Sequence, residues 1–253
     1  LLMGLRFTFA ASILIWWFPI PRGYLKKIFI ASLIANTLQY SVTYTGLNLI
    51  DASAAVLLVQ TEVPFGVLFA YSMLKEKPTI RSLIGIAVAF VGVYILTGSP
   101  NLEGKFLGIF LTILGSAIWA LGQVLVKPLS KEISPLTLVA WLAIFSGPIL
   151  IFLSSILDGN TINYIKSANF NSWAIAFYLG FFMQPVTYGC FYYVLKNNPL
   201  YKVLPIVTMG IPLTGLLAAI LLLGEKPTTE LYLGGFIILI GVILILYTKQ
   251  KST

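Results

Sequence analysis

Apolar runs long enough to cross a lipid bilayer follow one another along almost the whole sequence. A hydrophobic stretch of about 18 or more residues with few charges is typical of a transmembrane helix. The sequence therefore predicts nine spanning helices, over residues 1–19, 28–47, 52–74, 82–98, 106–126, 135–157, 172–195, 203–223 and 231–248. The connections between them are short and contain Gly, Pro, Asn and charged residues. We predict an all-α integral membrane protein.

The composition argues against catalysis. Of the 253 residues, 58% are hydrophobic and 9% are charged, and histidine is absent, which excludes histidine-based triads and histidine metal sites. Cys190 is the single cysteine, so an intrachain disulfide and a cysteine metal cluster are excluded as well. The two aspartates, Asp51 and Asp158, lie at the ends of predicted helices, and no Gly-Lys-Ser/Thr phosphate loop is present. We expect a protein that is not an enzyme and that binds no cofactor or metal.

Lysine and arginine are distributed unevenly between alternate loops. One set of loops carries twelve of them: Arg22, Lys26, Lys27, Lys75, Lys77, Arg81, Lys127, Lys131, Lys196, Lys202, Lys249 and Lys251. The other set carries three: Lys105, Lys166 and Lys226. By the positive-inside rule, the first set and a tail over 249–253 are cytoplasmic. Orientation therefore explains the net charge of +8 without a nucleic-acid partner, and the short loops favour a bacterial inner-membrane location.

An internal repeat relates the two halves of the chain. The motif Glu-Lys-Pro-Thr begins at Glu76 and again at Glu225, 149 residues later. The same spacing, or one residue less, relates four further pairs: Gly85 and Gly234, Gly92 and Gly241, Pro64 and Pro212, and Tyr40 and Tyr188.

The two copies of the motif fall on opposite sides of the membrane in the predicted topology, which makes the repeat inverted. We expect a 5+5 inverted-repeat helical bundle with a first half over 1–98, which contains four helices, and a second half over 105–248, which contains five. The partner of helix 106–126 is expected to precede Leu1. Inverted repeats are typical of secondary transporters, in which one half rocks against the other around a site at the midplane.

The repeated stretches resemble the EamA family of the drug/metabolite transporter superfamily. They read EVPFGVLFAYSMLKEKPTIRSLIGIAVAFVGVYIL and GIPLTGLLAAILLLGEKPTTELYLGGFIILIGVILIL, and residues 115–137 and 4–9 add to the likeness. The first copy departs from the family pattern because it has LKEKP instead of LGEKP. The resemblance implies a ten-helix carrier of amino acids, nucleotide-derived metabolites, sugars or drugs, often an exporter. It leaves the substrate open.

Glu62 and Arg6 are the two charged residues deep inside predicted helices. Glu62 lies about 11 residues from Asp51 and 13 from Lys75, hence near the middle of the bilayer. A carboxylate at that depth costs about 2.5–3.5 kcal/mol on insertion scales, so it faces the bundle or a wet cavity. Glu62 either binds a substrate amine, acts as a protonatable coupling group, or forms an ion pair with Arg6. Arg6 either binds a substrate carboxylate or balances Glu62.

Several uncharged polar or aromatic residues join these two as candidates to line a substrate pathway. They are Asn36, Gln39, Tyr40, Gln60, Thr61, Trp119, Gln123, Trp141, Gln184, Tyr188, Thr208 and Gly210. Amide and hydroxyl groups that face lipid are costly, so they either line a cavity or make hydrogen bonds between helices. Pro64 and Pro212 either mark discontinuous helices that act as hinges or are ordinary kinks. The two Glu-Lys-Pro turns are expected to cap the helices that follow them.

The sequence thus favours a secondary transporter that moves a small polar metabolite, such as an amino acid or a derivative, by alternating access. Glu62 is the candidate for coupling to protons, and the protein is expected to be a monomer or a homodimer. Within carriers, the alternative substrate is a nucleotide-like metabolite whose base stacks on Trp or Tyr. The alternatives from other classes are a channel and a membrane subunit that does not transport.

Overall fold

The computed structural model describes residues 1–157, 159–208 and 210–246, and the regular structure in these ranges is helical. The predicted tail over 249–253 and Asp158 lie outside the described residues. The helices are α1 (Leu2–Leu14), α2 (25–47), α3 (Ala52–Leu74), α4 (Ile80–Thr97), α5 (Phe106–Glu132), α6 (Pro135–Leu157), α7 (Thr161–Ser167), α8 (Phe170–Asn197), α9 (Leu200–Thr208), α10 (Gly210–Leu223) and α11 (Thr229–Leu246).

Seven helical segments of the described chain are long and apolar enough to cross a membrane, with mean hydropathies from 1.2 to 2.3. They are α3, α4, α5, α6, α8, α11 and the segment Leu200–Leu223. The predicted helix over 1–19 is shorter in the structure, because α1 ends at Leu14 and Pro19 and Pro21 follow. The helix predicted over 28–47 corresponds to α2, whose polar residues make it less apolar than the seven. The count of nine spans therefore stays a prediction.

Two helices contain π-helical turns at equivalent positions. In α2 the turn covers Leu33–Leu38, and in α8 it covers Leu179–Tyr188. A third irregularity is the 3₁₀ turn Val59–Thr61 inside α3. Insertions of this kind in an α-helix leave backbone groups in altered registers and occur frequently at functional sites. All three contain residues that the sequence nominates for the substrate pathway.

Residues 1–41 and 125–197 form one compact unit. Within it, α1 runs antiparallel to α6, and two glycines allow the backbones to approach. A Cβ at Gly4 would lie 2.8 Å from the backbone nitrogen of Ile151, and a Cβ at Gly147 would lie 2.9 Å from that of Thr8. Buried apolar side chains of the two helices, including Phe7, fill the space around this contact.

Among the described residues, 42–124, 198–208 and 210–246 form a second compact unit. Its centre is the antiparallel packing of α4 on α11. A Cβ at Gly85 would lie 2.6 Å from the carbonyl oxygen of Gly241, and one at Gly92 would lie 2.7 Å from that of Gly234. These are the glycines that the repeat pairs, and small residues at such positions let helices pack closely. The sequence predicts that these glycines pack helices closely within each half of the repeat, and this is wrong in one respect: the close contact joins α4 of the first half to α11 of the second half.

The sequence predicted that the two Glu-Lys-Pro turns cap the helices that follow them, and this is wrong for their glutamates. Each glutamate caps a helix that is distant in sequence. Glu225 accepts backbone hydrogen bonds from Ala52 and Ser53, both at 2.9 Å, at the start of α3. Glu76 accepts the equivalent bonds from the first two residues of α9, at 3.2 and 3.3 Å. The helix after the first turn is instead capped by Thr79, which accepts a bond from the Ser82 amide. Proximity in sequence therefore did not indicate which helix each glutamate caps.

Lys127 was assigned to a cytoplasmic loop by the sequence, and this is wrong. Helix α5 continues through Pro128 to Glu132, and Lys127 is buried in it. Its ammonium group donates a hydrogen bond to the backbone carbonyl of Leu195 near the end of α8. The carbonyls of the last turn of a helix lack partners within the helix and carry partial negative charge, which suits a lysine donor.

Candidate functional site

The candidate site residues fall into both units. The first unit contains Arg6, Asn36, Gln39, Tyr40, Trp141, Gln184 and Tyr188. The second contains Gln60, Thr61, Glu62, Pro64, Trp119, Gln123, Thr208, Gly210 and Pro212. Each group is described within its own unit. An ion pair of Arg6 with Glu62 is one of the alternatives that the sequence left open, and it stays an alternative.

In the second unit, three consecutive polar residues are buried in the middle of α3. Gln60 is fully buried, Thr61 is 1% exposed and Glu62 is 5% exposed. The 3₁₀ turn ends at Thr61, and regular α-helix resumes at Glu62. Thr61 satisfies its hydroxyl locally by donating to the carbonyl of Leu58 at 2.8 Å. Burial at the centre of a spanning helix places these residues away from lipid, as the cost of the carboxylate requires.

Gln60 carries the sharpest sign of a ligand. Among the described residues, neither its amide nitrogen nor its amide oxygen has a hydrogen-bond partner. Leaving such a buried group unpaired costs about 1–3 kcal/mol, and an amide with both ends open can bind a polar solute or water. Gln123 is 1% exposed, and its Oε1 likewise has no partner within the described chain. Thr208 is buried and donates to the carbonyl of Leu204 at 3.0 Å.

Pro64 and Pro212 occupy the third positions of the α-helical segments that begin at Glu62 and Gly210. The 3₁₀ turn that precedes the first of these segments is a local backbone adjustment of the kind that accommodates proline in membrane helices. Among the described residues, no atom lies within 4 Å of a Cβ built on Gly210. Close approach of another described backbone therefore does not account for a glycine at this position.

In the first unit, Tyr40 and Tyr188 meet. Their hydroxyl oxygens lie 3.1 Å apart in a hydrogen bond, and the ring of Phe7 packs edge-on against Tyr40 with centroids 5.5 Å apart. The repeat pairs these two tyrosines with each other, so the contact joins equivalent positions. Tyr188 is also the last residue of the π-helical turn in α8.

Arg6 lies over the ring of Tyr188, with its guanidinium carbon 5.8 Å from the ring centroid. Its Nη1 is 3.9 Å from the sulfur of Met3, and its buried Nε has no hydrogen-bond partner among the described residues. Sulfur is a weak acceptor. Most of the donor capacity of this guanidinium is therefore not used by strong acceptors described in its own unit.

The remaining predicted residues divide between structural contacts and open groups. Asn36 donates to the Ser146 hydroxyl at 3.0 Å, which is the interhelical hydrogen bond that the sequence left as one of two alternatives. Trp141 donates from its indole nitrogen to the Pro19 carbonyl at 3.1 Å, an anchor at the end of α1. Gln184 is 4% exposed, and its Oε1 has no partner in the described part of the chain.

Gln39 is buried and Trp119 is half-buried, and both make contacts within the protein.

Sequence reasoning missed Ser146 and Lys127. Ser146 is fully buried in α6 and bonds both to Asn36 and to the Leu142 carbonyl. A serine in an apolar run gives little signal, because it can satisfy itself on its own helix. Lys127 was taken as a loop charge because it follows an apolar run, although the downstream sequence remains compatible with helix.

Comparisons with known proteins agree with the helical architecture. The model of the EamA-like transporter family matches residues 1–98 and 106–247. The chain is 28% identical to a probable amino-acid metabolite efflux pump of Escherichia coli (strain K12), over 96% of this chain and 83% of that protein. It is 27% identical to an uncharacterized transporter of Clostridium kluyveri, over 91% of this chain and 74% of that protein.

The chain also resembles a protein of known crystal structure, with a TM-score of 0.70. The match covers 97% of this chain and 88% of the other, at 14% sequence identity. At that identity the likeness concerns the fold alone.

Proposed function

Because the chain belongs to the EamA-like transporter family, and so is an integral membrane transporter and not an enzyme, we propose that it is a secondary transporter of a small polar metabolite. The substrate is an amino acid or an amino-acid derivative, and the protein moves it by alternating access. The E. coli relative named as a probable amino-acid metabolite efflux pump supports this substrate class and the direction of export.

The observation that carries the proposal is the buried polar stretch Gln60–Glu62 at the centre of α3. A structural helix in a membrane has no use for an acidic side chain and an unpaired amide at mid-depth, since both raise the cost of insertion. A carrier needs such groups, because they replace the hydration shell of a polar solute. Glu62 is the group that binds a substrate amine or takes up and releases a coupling proton.

Matched contacts in the two halves support the 5+5 inverted repeat. Gly85 contacts Gly241, and the repeat converts this pair into the contact of Gly234 with Gly92. It also converts the cap of Glu225 on α3 into the cap of Glu76 on α9. The equivalent helices α4 and α11 run antiparallel, as opposite orientation of the halves 1–98 and 105–248 requires. Two nearly equivalent halves provide two conformations of similar energy, one open to each side of the membrane.

The uneven distribution of Lys and Arg supports a cytoplasmic C-terminus in a bacterial inner membrane. Lys127 is buried and no longer counts as a loop charge. When Lys127 is left out, the excess of Lys and Arg remains strongly on the loops that the sequence assigns to the cytoplasm.

Counterflow in proteoliposomes tests the proposal. Vesicles that contain the purified protein are loaded with unlabelled L-amino acids, and uptake of the radiolabelled compounds is followed with and without a pH gradient. We expect Glu62→Gln to reduce counterflow at least about tenfold or to abolish its response to the pH gradient, as expected when a charged ligand or proton carrier is lost.

The matched control is Glu103→Gln, because Glu103 is exposed in a loop; this variant should transport like the wild type. A Glu62→Gln protein with an unchanged rate and an unchanged response to pH would rule out the role of Glu62. Currents far above carrier turnover would instead favour a channel.

A further inference from the structure

We propose that Arg6, held against the ring of Tyr188, binds the carboxylate of the transported solute. This inference rests on the proposed function and names its substrate class more narrowly: a compound with a free carboxylate, in preference to its ester or amide. The residues involved belong to the first unit, so the argument needs only contacts within that unit.

The first step is the state of the guanidinium. It offers five N–H donors and accepts none, and among the described residues its polar contact within 4 Å is the sulfur of Met3. No carboxylate of the described part of its unit lies within 4 Å of it. Arg6 is half-buried in a helix of a membrane protein, where an arginine without an anion is costly. A carboxylate ligand supplies the missing acceptors, and its two oxygens match the guanidinium fork.

The second step is the positioning of Arg6. Its guanidinium is fixed at one side by the Tyr188 ring, since arginine stacks well on aromatic surfaces. The hydrogen bond between the Tyr40 and Tyr188 hydroxyls holds the Tyr188 ring in place at its hydroxyl end. The backbone of Arg6 is fixed by α8, because a Cβ on Gly180 would lie 2.6 Å from the Arg6 carbonyl oxygen. A binding residue held from several sides loses little entropy when the ligand arrives.

The third step is an open acceptor on the same π-helical turn. Gln184 lies four residues before Tyr188, and its buried Oε1 has no partner within the described chain. An amino acid brings an anionic group for Arg6 and N–H donors for an acceptor such as this one. The unsatisfied polar groups of this unit therefore include both donors and an acceptor. A solute that carries both acceptors and donors requires such a combination.

The experiment compares each amino acid with its own methyl ester. The proteoliposomes described above are challenged with the L-amino acids and, separately, with their methyl esters, and the ratio of acid to ester counterflow is measured. The ratio is taken on one preparation, so the fraction of correctly folded protein cancels. We expect a ratio well above one for the wild type and a fall of at least about tenfold for Arg6→Gln, because a charge-assisted bidentate contact is lost.

Three variants complete the design. Arg6→Lys keeps the charge without the fork and should retain an intermediate ratio. Tyr188→Leu removes the ring beneath the guanidinium and should lower the ratio several-fold, although it does not remove the charge. Arg81→Gln is the matched control, since Arg81 is exposed in the second unit, and should leave the ratio unchanged.

The outcomes separate this inference from the proposed function. If the wild type transports and Arg6→Gln keeps the full preference for acids over esters, Arg6 is not the carboxylate ligand. If the wild type shows no counterflow with any amino acid or ester, the proposed function fails and this inference fails with it.

Discussion

Glu76 and Glu225, which lie 149 residues apart, make the same contact in the two halves of the chain: each carboxylate accepts the first two backbone amides of a helix from the other half. Each glutamate follows the end of a helix. Its backbone amide donates to the carbonyl of the residue six positions earlier, which is Ala70 for Glu76 and Ala219 for Glu225. The residue before each glutamate, Lys75 or Gly224, has a left-handed backbone, which is a common way for a helix to end. The chain turns there, and the carboxylate that follows reaches the helix that it caps.

The cap by Glu225 should contribute measurably to stability. Glu225→Gln removes the negative charge that faces two amides at a helix N-terminus, and we expect it to lower stability by about 1 kcal/mol, as for other lost helix caps. The measurement is the thermal unfolding midpoint of the purified protein in detergent. Glu103→Gln, in an exposed loop, should leave the midpoint unchanged. Equal midpoints for Glu225→Gln and the wild type would show that water replaces the cap at no cost.

The same carboxylate predicts how stability changes with pH. Partial burial raises the pKa of Glu225, but hydrogen bonds from Ser53 and Ala52 and the positive charge of Lys105 outweigh it and hold the pKa below its usual 4.5. The folded protein therefore binds this proton more weakly than the unfolded chain does. The stabilisation is present in full above pH 4.5 and is lost as the pH falls through the lower folded pKa.

We therefore expect the gap in unfolding midpoint between the wild type and Glu225→Gln to be constant near neutral pH and to narrow as the pH falls below 4.5. A series of melting curves from pH 7 to pH 3.5 checks this. A gap that widens on acidification would contradict the assigned direction of the pKa shift.

Lys75 offers a stabilising substitution. It follows the last residue of α3 and has a left-handed backbone, φ 60°; the equivalent residue in the second half of the chain is Gly224, φ 67°. A side chain in this conformation costs about 1 kcal/mol, so Lys75→Gly should raise the unfolding midpoint. Gly224→Ala is the matched opposite change and should lower it. If Lys75→Gly lowers the midpoint, lysine contacts outweigh the backbone strain.

The sequence predicted these relationships unevenly. The repeat identified the four glycines that pack α4 on α11, although Gly85 meets Gly241 and not its repeat equivalent Gly234. It also identified the pair Tyr40 and Tyr188, because residues equivalent by two-fold symmetry tend to meet near its axis. It did not identify the helices that Glu76 and Glu225 cap. A cap is made by whichever helix start the fold brings near, and no local pattern encodes a partner more than 100 residues away.

The sequence predicted the burial of candidate residues best where a polar side chain lies within an apolar run. Glu62, Gln60 and Gln184 stand out in apolar runs, and all three are buried. The π-helical turns around Asn36 and Gln184 were not foreseen, since the spacing of apolar residues barely differs between a π turn and an α turn. The hydrogen bond of Trp141 to the Pro19 carbonyl was not foreseen either, because it depends on how the loop after α1 folds back.

The glycine contact of α4 with α11 is tight enough to be tested by one methyl group. A Cβ at Gly92 would lie 2.7 Å from both the Gly234 carbonyl oxygen and the Ile238 amide nitrogen, and backbone atoms cannot move aside alone. We expect Gly92→Ala to destabilise the protein by about 1–3 kcal/mol, the usual range for overpacking, seen as a lower unfolding midpoint. Gly210→Ala is the control, because a Cβ there meets no described atom; it should leave stability unchanged or raise it.

Gln60 yields a prediction in which stability and transport move in opposite directions. Both polar atoms of its side chain are buried and have no partner among the described residues. Gln60→Met keeps the length of the side chain and removes the unsatisfied groups, so we expect stability to rise by about 1–3 kcal/mol. The same change removes a polar contact for the solute, so counterflow should fall.

A rise in stability together with a fall in counterflow distinguishes a binding residue from a structural one. If Gln60 were bonded in the native fold, Gln60→Met would lower the unfolding midpoint and the transport rate together. Thr61→Val is the neighbouring control, because Thr61 already donates to the Leu58 carbonyl and its replacement loses a local bond. We expect Thr61→Val to affect transport less than Gln60→Met does. A Gln60→Met protein that is more stable and transports at the wild-type rate would remove Gln60 from the substrate pathway.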